Sequence, residues 1–277
     1  IEVVVAFMHR SEELVRPVRG VAKLVDNYDC FTLAHERRLQ AMAASASWLE
    51  RLRVMRHVAE ARSIEAGLGE RCDLITAISP PDARRLEQLN PGHEVALIPN
   101  GISTGLLERV RTAEPSRNGG AFWCILSFPV NLQAVDFFLE RVWRPYLRDE
   151  GVEFAIVGPH ASSDLRALAT STPGIVLPGF VDDLFGFLDR YPIMINTMVS
   201  GSGLKNKALE AFATGMAVIS TPLGVDAFPV EDGVHCLLAE RPADIATAVQ
   251  SLLADPARRR ELARNARQLV AERYTWD

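Results

Sequence analysis

A chain of 277 residues, 48% hydrophobic and 23% charged, has the make-up of a globular protein and the length of two domains or one large one. Its formal net charge of -5 removes the electrostatic case for a nucleic-acid partner, and no apolar run reaches the roughly 20 residues of a membrane span. Cys30, Cys72, Cys124 and Cys236 are dispersed, with no CxxC pair and no histidine at ligand spacing, which disfavours zinc and a disulfide scaffold and reads as reduced thiols in a cytoplasmic protein.

In chain order, IEVVVAF (1–7), KLVDNYD (23–29), DLITAIS (73–78) and EVALIPN (94–100) are apolar runs of strand length, and an arginine-rich helical region fills roughly 35–68. Four strand candidates are fewer than the roughly six of a complete Rossmann-type sheet. The chain also opens at Ile1 inside an apolar run. The first domain, residues 1–111, is therefore expected to be incomplete, with about 80 to 120 further residues preceding it in the native chain. Arg37, Arg38, Arg51, Arg53, Arg56 and Arg62 interleave with Glu36, Glu50, Glu60 and Glu65, which reads as a solvated helix face, a lipid or anionic acceptor surface being the alternative. Asp26 and Asp29 end an apolar strand, where aspartates cap or turn the chain. The rival role for them, on the acceptor side, is assigned to Asp26. His35, His57, His93, His160 and His235 form no cluster.

TAEPSRNGG (112–120) has the composition of a linker. After it, AFWCIL (121–126), VEFAIV (152–157), GIVLPG (174–179), IMIN (193–196), AVIS (217–220) and CLLA (236–239) alternate with helical patterns at 132–147, 163–170, 182–189 and 204–214. Several of these runs are apolar at every position, as in parallel strands covered on both faces. The expected plan is α/β, with two doubly wound, Rossmann-like domains and ligands at the carboxyl ends of the strands.

The stretch GSGLKNKALEAFATGMAVISTPLG (201–224) carries the most chemistry. With a helix starting at Leu204, the backbone N–H groups around Ser202 to Lys205 point out of a helix N-terminus, where unsatisfied donors and the macrodipole favour an anion. Gly201 and Gly203 permit close backbone approach. Lys205 and Lys207 add positive charge for a diphosphate. Lys207, Glu210 and Thr214 share one helix face and Leu204, Ala208 and Phe212 another. Glu210 is thereby placed to accept hydrogen bonds from the hydroxyls of a ribose.

From VDDLFGFLDRYPIMINTMVSGSGLKNKALEAFATGMAVISTPLGVDAF onward, this chain resembles the donor lobe of group 1 glycosyltransferases. CDLITAISPPDARRL, VALIPNGIS, PVNLQAVDFF, VGP and LPGFVDDL extend the likeness over about residues 70–277. The resemblance implies the GT-B architecture, a retaining, hexosyltransferase-like enzyme of glycan, polysaccharide or glycoconjugate biosynthesis, and a donor lobe at 121–265 whose final helix, 266–277, returns to the first domain. It implies donor contacts from Val181, Gly201, Ser202, Gly203, Leu204, Lys205, Lys207 and Glu210. Many members carry two glutamates separated by seven residues here; Glu210 is the second and Ser202 stands at the first, and the family's common Arg and Lys pair is missing from ILSFPVNLQAV.

The chemistry follows: a nucleoside diphosphate leaves an anomeric carbon, and Lys205, Lys207 and the helix mouth stabilise the charge growing on its phosphate. No DxD motif or carboxylate cluster is placed to hold a metal, so none is expected, and no cofactor beyond the nucleotide sugar. The acceptor is a sugar, lipid-linked or protein-linked, and peripheral association with the inner face of a membrane is compatible with it. A sugar-nucleotide epimerase and a non-catalytic nucleotide-sugar-binding module are the alternatives. A dinucleotide dehydrogenase is disfavoured, because no GxGxxG follows the first strand of either domain.

Overall fold

The computed structural model describes residues 2–42, 46–109, 111 and 114–276. It divides into two compact units, one formed by residues 1–100 with 200–204 and the other by 101–199 with 205–277.

The first unit holds a parallel sheet of β1 (Val3–Phe7), β2 (Ala22–Asn27), β3 (Leu74–Ala77) and β4 (Val95–Leu97), in that spatial order. All four expected strands are present, each within a few residues of its predicted bounds. Val25, Ile75, Ala77 and Val95 pack with Leu68, Leu86 and Leu89 to form the core. On β1, Val3, Val5 and Phe7 are exposed while Ala6 is buried, the alternation of a strand covered on one face. The arginine-rich region is not one helix but two, α1 (Phe31–Ala41) and α2 (Trp48–Glu65). Ser47 and Glu50 close a reciprocal capping box that starts α2, so the break is written into local sequence. Helix α3 (Pro80–Leu89) is capped by Ser79 and begins with proline, a residue whose missing N–H does no harm at that position.

The second unit is built on a six-stranded parallel sheet. Its strands are β5 (Gly119–Trp123), β6 (Glu153–Val157), β7 (Ile175–Gly179), β8 (Ile193–Asn196), β9 (Ala217–Ser220) and β10 (Leu237–Leu238), in the spatial order β10-β9-β8-β5-β6-β7. Helices α4 (Pro129–Phe137), α5 (Leu184–Leu188), α6 (Asn206–Ala213), α7 (Pro242–Ala254) and α8 (Pro256–Arg273) accompany this sheet. The interior is aromatic: Phe122, Phe138, Trp143, Phe154 and Phe212 are almost wholly buried, each contributing roughly 1.5 to 3 kcal/mol of transfer free energy.

Two expected boundaries move. Gly119 and Gly120, read as the end of a linker, open β5. A Cβ on Gly119 would lie 2.0 Å from the Glu153 carbonyl oxygen, and one on Gly120 would lie 2.4 Å from the Ile195 side chain. These glycines serve close packing of neighbouring strands and not a turn. Thr112 and Ala113, also in the expected linker, lie outside the described residues, as does Asp277. Residues 101–109 and helix α8 both belong to the second unit. Arg267 on α8 donates to the carbonyls of Leu107 and Arg109, and Ile102 bridges to Thr275. The last helix packs within its own unit, burying Leu262, Ala266 and Val270.

Candidate functional site

The chain enters the second sheet at β5, moves outward through β6 and β7, then crosses back to β8 on the other side of β5. The strand order reverses between β5 and β8, and in open parallel sheets such a reversal opens a crevice at the carboxyl ends. A cavity of about 250 Å³ is found there. Trp123 and Cys124 line it from the end of β5, Val157 and Gly158 from the end of β6, Val181 from the segment after β7, and Glu210 from α6.

Helix α6 starts at Asn206, with Lys205 as its N-cap residue, two residues later than predicted. Ala208, Leu209, Ala211 and Phe212 are buried, leaving Lys207 and Glu210, three apart, to share the other face. Glu210 is half-buried. Burial pushes its carboxyl above the ordinary glutamate value, opposed by a hydrogen bond from Trp123 and by the charge of Lys207. The Trp123 indole Nε1–H donates to Glu210 Oε2 at 2.7 Å. Lys207 donates to Asn131 Oδ1 at 2.6 Å and sits 4.4 Å above the centre of the Phe122 ring. Burial lowers its pKa to about 8. Lys205 is buried and its Nζ pairs with Asp226 Oδ1 at 3.0 Å. The expected cation of Lys205 is thus already partly compensated.

Of the residues singled out from sequence, Val181 and Glu210 line this cavity, with Lys207 three residues before Glu210 on α6. Gly201, Ser202, Gly203 and Leu204 group with the first unit. Gly201 has φ 107° and Gly203 φ 72°, and a Cβ on Gly203 would fall 1.8 Å from Asp29 Oδ1. Both positions require glycine. The Gly203 N–H, read as a phosphate donor, donates to Asp82 Oδ2 at 2.8 Å, and Arg37, read as part of a solvated face, donates to the Gly201 carbonyl at 3.0 Å. Ser202 Oγ is buried and has no hydrogen-bond partner among the described residues. Asp26 lies in the first sheet, its Oδ1 accepting from Thr76 at 2.6 Å, the residue opposite it on β3.

Trp123, Asn131, Asp82 and Asp226 are the participants that sequence reasoning missed. Trp123 and Glu210 are 87 positions apart, and nothing in either local pattern announces their contact. Among the described residues, no group of three or more His, Cys, Asp or Glu is arranged to hold a metal ion, and no helix is long and apolar enough to cross a membrane.

Comparison with known proteins bears on the fold. Residues 121–255 match the family model described as Glycosyl transferases group 1. Among solved structures, TarM is 12% identical with a TM-score of 0.74, the likeness covering 99% of this chain and 52% of TarM. Sucrose-phosphate synthase from Thermosynechococcus elongatus is 18% identical with a TM-score of 0.76, covering 99% of this chain and 70% of the enzyme. Anabaena HepE, solved in complex with UDP, is 14% identical with a TM-score of 0.70, covering 99% and 75%. This chain spans about half the length of TarM. A search of curated protein sequences gave no match. Over residues 121–255 the chain is similar to the group 1 glycosyl transferases, and across its length it has the GT-B fold of the structures it resembles.

Proposed function

We propose that this protein takes part in glycosyl transfer from a nucleoside-diphosphate sugar, with the second unit holding the donor. The observation that carries the reading is Glu210: a half-buried carboxylate at the cavity where the strand order reverses, with Lys207 three residues before it. Such a carboxylate suits ribose hydroxyls, because charge-assisted hydrogen bonds at a partly desolvated site are strong and directional. The cavity apart from Glu210 is largely apolar, with Trp123, Ile125, Phe180 and Val181 along its walls, as suits a base and ribose. HepE is solved with UDP-glucose and with UDP, which supports a nucleotide sugar as the ligand class for this fold.

Lys207 then faces the negative charge that grows on the departing diphosphate, and Lys205 contributes as far as its pairing with Asp226 allows. Stabilisation of that developing charge is the main catalytic term, and the reaction proceeds with retention and without a metal. The acceptor is a sugar, lipid-linked or protein-linked, met by groups of the first unit such as Asp26.

The test is turnover of UDP-, GDP-, ADP- and dTDP-sugars, labelled in the sugar, in the presence of excess EDTA. The expected result is release of nucleoside diphosphate from at least one donor. Lys207→Ala should lower turnover by more than it weakens donor binding, the mark of an interaction made in the transition state. Equal losses would reduce Lys207 to a ground-state contact. A labelled sugar that stays on its nucleotide with one inverted hydroxyl would identify an epimerase instead, and a strict need for manganese or magnesium would overturn the metal-free chemistry.

A further inference from the structure

Glu210 is held by a residue that no family pattern or spacing pointed to. Trp123 ends β5, is 5% exposed, and lines the same cavity as Glu210. A buried indole N–H needs an acceptor, and it finds Glu210 Oε2 at 2.7 Å. Lys207, the neighbouring cation, does not compete for that oxygen, because its ammonium is bonded to Asn131 and rests over Phe122. Among the described residues, Glu210 Oε1 accepts no hydrogen bond.

A carboxylate that receives both hydroxyls of a ribose normally offers one oxygen to each. Here a donor arriving at Oε2 must share that oxygen with the indole, while Oε1 is open. We propose that Trp123 is a positioning residue of the nucleotide site: it fixes Glu210 through Oε2 and leaves Oε1 as the acceptor, so that one ribose hydroxyl of a nucleoside diphosphate dominates recognition. This rests on the nucleotide reading of the cavity. It adds a specificity that reading does not contain, namely unequal tolerance of the two deoxyribose isomers.

The indole N–H also stabilises the charged form of Glu210. Its removal raises the carboxyl pKa further, so the loss of binding on acidification sets in at higher pH.

The experiment is calorimetric titration of the whole chain with UDP and GDP and their 2′-deoxy and 3′-deoxy forms, across a pH series, in the wild type, Trp123→Phe and Trp143→Phe. Trp143 is a second buried tryptophan, donating to the Val152 carbonyl at 2.8 Å, and its variant controls for the mere loss of a buried indole bond. For whichever nucleotide binds, one deoxy form should stay within about 3-fold of the parent and the other should weaken by about 10-fold or more, the worth of one charge-assisted hydrogen bond. Trp123→Phe should weaken the parent nucleotide by about 10-fold, narrow the gap between the deoxy forms and move the acid limb to higher pH. Trp143→Phe should leave affinity and pH profile unchanged. Equal weakening by both deoxy forms in the wild type, or a Trp123→Phe protein with wild-type affinity and pH profile, overturns the proposal while leaving the nucleotide reading in place. If Trp123→Phe does not fold, the wild-type deoxy comparison decides alone. If the wild type binds neither UDP nor GDP, the nucleotide reading falls for these bases and the proposal falls with it.

Discussion

Lys207 keeps its charge in surroundings that resist it. Its ammonium is bonded to one amide oxygen, stands over an aromatic ring, and has a pKa lowered to about 8 by burial. A diphosphate placed beside it supplies negative charge and raises that pKa, so the bound state holds a proton that the free state loses above about pH 8. By linkage, the contribution of Lys207 to affinity for a nucleoside diphosphate should be level below about pH 8 and fall above it, by at most about 10-fold per pH unit. Lys207→Met should abolish this basic limb. Calorimetry at pH 7 and pH 9 checks it, and equal wild-type affinities would remove Lys207 from the phosphate. Glu210 and Lys207 were legible in the sequence because a spacing of three on a helix is a local fact. Trp123 was not, since its partner lies 87 positions away and only the sheet order brings the two together.

At the scale of elements, α1 has no cap of its own. Its N-cap residue, Cys30, makes no side-chain capping bond among the described residues, its thiol donating to Glu65 Oε2 at 3.4 Å, and the first two N–H groups, of Phe31 and Thr32, donate to the same carboxylate at 2.7 and 3.0 Å. Glu65 comes from the end of α2 and is fully buried. Its pKa is raised by burial and restrained by these bonds. His9 lies 3.7 Å from the same carboxylate, its pKa lowered to about 4 mainly by burial. Glu65→Ala leaves two orphaned helix donors and should destabilise the first unit by about 2 to 4 kcal/mol. Denaturant unfolding followed by circular dichroism measures it, and a loss below about 0.5 kcal/mol, the size of an ordinary surface change, would show that water replaces the carboxylate. Gly119→Ala makes a parallel claim for the other unit. Its Cβ meets the Glu153 backbone, so β5 and β6 must part locally, and the chain should lose roughly 3 kcal/mol or fail to accumulate as folded protein; wild-type stability would contradict the close approach. The capping box at Ser47 is a local start signal inside the arginine-rich helical region read over roughly 35–68. The glycine pair at 119–120 misled because turn formers and close-packing glycines look alike until the neighbouring strand is known.

Over the whole molecule, strand existence was legible almost everywhere. Buried parallel strands read as short, fully apolar runs, and all ten appear close to their expected positions. What sequence could not supply was order. The first unit's described strands run β1 to β4 without reversal, whereas the second unit's sheet reverses between β5 and β8, and only the reversal explains why the cavity lies where Trp123 and Glu210 meet. Nor could local patterns show what α8 packs against, since its apolar stripe of Leu262, Ala266 and Val270 names no partner. A ligand bound in the second unit should stabilise that unit by about 2.7 kcal/mol at 100 times its dissociation constant. The most direct measurement is calorimetric titration of the whole chain and its Glu210→Ala variant with UDP-, GDP-, ADP- and dTDP-sugars. At least one donor should bind the wild type one to one, and its affinity should fall about 100-fold in the variant, as expected for charge-assisted hydrogen bonds lost at a partly buried carboxylate. No binding by any of the four, or equal affinity in the two proteins, would contradict a donor site built on Glu210.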